Sequence, residues 1–169
     1  MFARARAAAQ KANCLSNIKQ LSVAMQMYTS DWDDAYPMAE NWNDALAKYT
    51  RPRDSASLFG AKIWTCPAAK SSEPTYALNG MLAGISAGKV SFASETVGIY
   101  ESVPGRNQAG EAELLPNPPR HSEGNNIGFA DGHVTWMEAS QTGALRWDPL
   151  LKTPPWPMPA PTEVPAPSG

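Results

Sequence analysis

The sequence predicts an α+β protein in which one long N-terminal helix packs on a small antiparallel sheet. Three observations carry that expectation. The first thirty residues repeat apolar side chains at helical spacing. Short β-branched and aromatic runs follow between turn residues. Late in the chain, Asp131-Gly132 sits between two apolar runs.

The helix is expected from about Ala3 to Ser30, a stretch without Gly or Pro. Cys14, Ile18, Leu21, Met25, Tyr28 and Trp32 follow one another at intervals of three or four, which places them on one stripe. Ser16, Lys19, Gln26 and Ser30 occupy the other side, with Val23 the exception. Residues 3–12 offer only alanines to bury between cations, and so read as a spacer leading away from the core. Asp31, Asp33 and Asp34 come next, and Tyr36-Pro37 is expected to stop the helix. A short second helix is predicted over Asn43–Tyr49 and a loop over 51–60. Lys62–Cys66 and Thr96–Glu101 read as strands. Asp131-Gly132 favours a two-residue type I′ turn, which would set Phe129 opposite Val134 and Ile127 opposite Trp136 on one side of a hairpin. From Pro154 to Gly169 seven prolines accompany one charge, Glu163. This composition points to an extended, disordered tail or spacer, with a Pro-rich recognition ligand as the alternative. The divisions are thus a helical stalk over 1–30, an α+β head over 31–150 and a tail over 151–169.

Composition narrows the function. A net charge of −2 over 169 residues gives no footprint for nucleic acid. Arg4, Arg6, Lys11 and Lys19 nevertheless all precede the first acid, Asp31, so the beginning is basic and the remainder acidic. There is no GxSxG elbow, no P-loop and no dinucleotide fingerprint, and neither cysteine lies in a CxxC pair. We therefore expect no enzyme and no cofactor.

Three sets of residues are candidates for chemistry. His121, Asp131 and His133 offer two imidazoles and a carboxylate, a set that a divalent metal could use. The alternative is structural, with Asp131 serving the turn and His121 hydrogen-bonding the hairpin or a neighbouring loop. Asp31, Asp33 and Asp34 suggest calcium but lack the Gly and distal Glu of an EF-hand loop. Cys14 and Cys66 are a candidate disulfide, because a helix lying across a sheet could bring them together; two independent buried thiols are the alternative.

Two segments resemble a known family. Phe2-Ala-Arg-Ala-Arg through Cys14-Leu-Ser-Asn-Ile-Lys-Gln-Leu21 to Asp31 looks like the stretch that follows the membrane helix of prepilin-type proteins. His121 and Asp131-Gly132, separated by nine residues, look like the motif of the prepilin-type H-X9-DG domain proteins. Weaker similarities lie between them, at Trp64-Thr-Cys-Pro67, Thr75-Tyr-Ala-Leu-Asn-Gly80 and Ala93 through Ser102, so the resemblance spans residues 2–137. It implies a pilin-like fold and a non-catalytic subunit or accessory of a type IV pilus-like or type II secretion-like assembly. Partners would be other pilin-like subunits, met through the N-terminal helix. The cleavage and methylation segment of such proteins would stand upstream of Met1 and supply the contact with the membrane. The resemblance then implies export to the cell envelope, whereas a true start at Met1 would imply the cytoplasm.

Overall fold

A computed structural model describes residues 2–50 and 62–152. The helix α1 runs from Phe2 to Asp31, about 45 Å at 1.5 Å per residue. Cys14, Ile18, Leu21, Ser22, Ala24, Met25 and Thr29 form its buried face, while Lys19, Gln26 and Val23 lie on the exposed side. Trp32 departs from the expected stripe and is 52% exposed. The helix has already ended at Asp31, and Asp33 and Asp34 take positive φ (49° and 63°). The Asp34 N–H donates to the Thr29 carbonyl at 2.9 Å, a Schellman-type closure. This reversal, rather than Pro37, terminates the helix, and Trp32 leaves the face to stack on Tyr28 at 5.5 Å.

Helix α2 spans Trp42–Thr50 and packs against α1, with Trp42 and Leu46 fully buried. Residues 51–61, which include the expected loop over 51–60, lie outside the described residues, as does the Pro-rich segment from 153 on. The expected strand over Lys62–Cys66 is a turn. Among the described residues it makes one ladder-like bond, from the Thr75 N–H to the Trp64 carbonyl at 2.9 Å. Trp64 is instead drawn into the core, edge-on to Trp42 at 5.7 Å.

The sheet has five strands: β1 (Tyr76–Asn79), β2 (Val97–Glu101), β3 (Ala109–Gly110), β4 (Gly124–Phe129) and β5 (Val134–Glu138). Their spatial order is β3-β1-β2-β4-β5. All neighbours are antiparallel except β1 and β3. The fold is therefore α+β, a long helix laid on a mostly antiparallel sheet. Alternation along the strands separates two cores. Tyr76, Leu78 and Ile99 face α1 with Cys14, Ile18, Leu21 and Met25. Ala77, Val97, Tyr100, Ile127 and Phe129 face the other way, where Leu114, Leu115, Leu145 and Trp147 cover them. This second layer is built from loops and 3₁₀ turns, which carry no periodic signal.

The hairpin differs from expectation by one residue. Ile127 pairs with Thr135 and Gly128 with Val134, so Val134 and Trp136 face α1 while Ile127 and Phe129 face away. The loop contains three residues, Ala130, Asp131 and Gly132. Gly132 donates back to the Phe129 carbonyl (2.9 Å) and Phe129 to His133 (2.9 Å). Gly132 alone among the three has positive φ, 88°, which is a type I turn closed by a left-handed glycine and not type I′. The longer loop is held by tertiary partners. Ala130 and Asp131 donate to the carbonyls of Thr96 and Ala93 (2.9 and 3.1 Å). From α1, Lys19 and Gln26 donate to the carbonyls of Gly132 and Asp131 (2.7 and 2.8 Å). A one-residue slip exchanges the faces of every side chain, so these contacts fix which half of the hairpin is core.

Candidate functional site

A type I′ turn is present nearby, at Ser122-Glu123. Both residues take positive φ, 49° and 67°, and His121 and Gly124 exchange two backbone hydrogen bonds of 3.1 Å across them. The turn brings His121 back against the start of β4. The Trp136 indole donates to the His121 carbonyl at 2.8 Å, and the preceding Arg120 clamps the carbonyls of Thr75 and Ser102. The His121 side chain is thereby driven under α1, where it is 3% exposed.

Three further groups meet it there. Cys14 comes from α1, Cys66 from the turn before β1 and Glu101 from the end of β2, and each is fully buried. His121 Nε2 lies 2.8 Å from Glu101 Oε1 and 3.3 Å from Cys66 Sγ. The Cys14 thiol donates to Glu101 Oε1 at 2.5 Å and lies 3.1 Å from the Tyr76 hydroxyl. Glu101 Oε2 accepts from the Asn126 backbone N–H at 2.8 Å. Among the described residues, these four side chains are the one group of three or more whose candidate ligand atoms converge, all within 4.8 Å of one another.

Their protonation is strongly coupled. Burial raises the Cys14 thiol far above its ordinary value, aided by the hydrogen bond to Cys66 and the Glu101 charge. Cys66 is lowered to about 6, chiefly by the hydrogen bond from Cys14, with burial opposing and the bond to His121 assisting. Burial works against a charged His121, yet hydrogen bonds to Cys66 and Glu101 carry it up to about 9. These hydrogen bonds thus push Cys66 and His121 toward their charged forms, while burial holds Cys14 as the neutral thiol. Two thiols, a carboxylate and an imidazole can exchange protons, be oxidised to a bridge or donate to a metal. No substrate reaches them without opening the core.

The structure sorts the expected residues differently. His121 does not join Asp131 and His133, since it precedes β4 while they follow it, about 20 Å away along six strand residues. Asp131 and His133 form an exposed pair, 2.6 Å between Oδ1 and Nδ1, with the imidazole stacked on Phe129 at 4.3 Å. The metal set of His121, Asp131 and His133 is therefore not formed. Asp131 serves the turn by accepting from the His133 N–H at 3.0 Å. Asp31 accepts from the Tyr49 hydroxyl at 2.8 Å, and the carboxylates of Asp31, Asp33 and Asp34 do not converge on a common point. Cys14 and Cys66 are brought together but remain free thiols without a bridge. Glu101 was missed by sequence reasoning. It stands in a strand where alternation could have marked it as facing the helix, but a carboxylate gave no reason to expect burial.

Among the described residues, no helix is long and apolar enough to cross a membrane. No curated protein and no solved structure matches the chain. Residues 3–64, from the first turn of α1 to Trp64, match a family described as a protein of unknown function, DUF1559.

Proposed function

We propose that this chain is the body of a pilin-like envelope subunit that joins its partners through α1. The observation that carries this reading is the use of that helix. Residues 2–9 are all exposed, whereas the buried face begins at Cys14. Residues 3–64 match a family of proteins of unknown function, and His121 with Asp131-Gly132 has the spacing of the prepilin-type H-X9-DG motif that the sequence resembles. A helix in water gains little from two turns that pack on nothing. Such turns are useful as the continuation toward a membrane helix and a fibre axis. The role is structural and non-catalytic, and the location is the exported face of the envelope.

Photo-crosslinking in the native cell tests this. A benzoylphenylalanine in place of Ala7 is expected to trap a second pilin-like chain in the envelope fraction. A protein recovered wholly from the cytosol, with no crosslink from Ala7, overturns the reading.

A further inference from the structure

We propose that Cys14, Cys66, Glu101 and His121 are the four ligands of a divalent transition-metal ion, zinc by preference, in a closed structural site. The donors are of the kinds zinc takes, with two sulfurs, one imidazole nitrogen and one carboxylate oxygen. Zinc bonds of about 2.0–2.3 Å place tetrahedral ligand atoms roughly 3.3–3.8 Å apart. The four atoms here already lie within 4.8 Å of one another. Cys66 and His121 stand at 3.3 Å. The approaches to Glu101 Oε1, 2.5 Å from Cys14 and 2.8 Å from His121, must open by about half an ångström to an ångström to admit an ion.

The surroundings are those of a ligand set. Glu101 Oε2 is held by the Asn126 N–H, which leaves Oε1 directed at the other three groups. The Tyr76 hydroxyl rests on Cys14 Sγ, and Asn17 donates to that hydroxyl at 3.2 Å. The Ala68 backbone N–H points to Cys66 Sγ, a turn that stabilises a thiolate. Such outer partners orient metal ligands and offset their charge.

Hydrogen bonding alone accounts poorly for this composition. Thiols are weak donors and acceptors, and a buried carboxylate and imidazole lose more hydration than such partners restore. The groups come from four separate parts of the chain, so no local constraint assembles them. On binding, both sulfurs enter as thiolates and the imidazole as its neutral form, and the displaced protons pass to solvent. The ion would then join α1, the Cys66 turn, β2 and the turn before β4.

The test uses the full chain without an affinity tag, purified under reducing conditions from zinc-supplemented cells. Elemental analysis should find one zinc per chain. His121→Ala and Cys66→Ser should each cut bound zinc more than about tenfold, while His133→Asn leaves it unchanged. Where a variant fails to fold, the wild-type chain still decides. Stripped of metal and titrated with cobalt(II), it should develop thiolate-to-metal charge transfer and the intense visible bands of a tetrahedral site. A folded wild-type chain without zinc or those bands overturns the proposal. So does zinc retained in His121→Ala, or a native mass two hydrogens low from a Cys14–Cys66 disulfide. The site is read on the isolated chain, so its failure leaves the assembly reading untouched.

Discussion

At the residue scale one tight constraint is where α1 meets β4. A Cβ on Gly128 would lie 2.7 Å from Ile18 Cγ2 and 2.8 Å from the Ile99 carbonyl oxygen. Backbone cannot yield there as a flexible side chain would, so Gly128→Ala should cost about 1–3 kcal/mol by overpacking. Leu21 is fully buried in the same layer, and Leu21→Ala should cost about 2–5 kcal/mol through the cavity it leaves. Urea unfolding of each variant measures both values, and an unchanged midpoint for Leu21→Ala would contradict the packing described. Gly132 answers a different requirement. Its φ is 88°, which strains any side chain, and a Cβ added there would stand 2.5 Å from Gln26 Nε2, so the Gln26 amide would have to swing off the Asp131 carbonyl. Gly132→Val should therefore destabilise markedly.

At the scale of elements, the two turns that bracket β4 divide the work. Ala130-Asp131-Gly132 sets the register of the hairpin, while Ser122-Glu123 aims His121 into the core. The second turn holds two non-glycine residues in the left-handed region, which costs about 1–2 kcal/mol per residue. Glu123→Gly should accordingly raise stability by about 1 kcal/mol. Its urea midpoint should rise, with the near-UV spectrum unchanged. A lower midpoint would mean that the Glu123 side chain contributes more than its backbone strain removes.

At the scale of the whole molecule, α1 has two parts with different duties. From Cys14 to Thr29 it is the lid of one core, whereas residues 2–9 are all exposed. Deleting residues 2–9 should change unfolding free energy by no more than about 0.5 kcal/mol, the range of surface changes remote from packing. The same deletion should abolish co-purification of a second pilin-like chain from the envelope fraction, the contact expected of an assembling subunit. A large loss of stability would show that the first turns belong to the folded body.

The sequence by itself determined the long helix, its buried stripe from Cys14 to Met25, the second helix and the α+β class. Each of these rests on periodicity or local punctuation, which amphipathic packing preserves. The positive φ of Gly132 was likewise local, since only glycine adopts it freely. The tertiary structure alone decided the hairpin register, because contacts from Lys19, Gln26, Thr96 and Ala93 select a three-residue loop over the two-residue one. It alone placed the type I′ turn at Ser122-Glu123, whose side chains carry no Asn-Gly signal. The site was decided in the same way. Cys14, Cys66 and His121 were each conspicuous, but their company with Glu101 depends on the crossing of a helix over separated segments, and no spacing along the chain encodes that crossing.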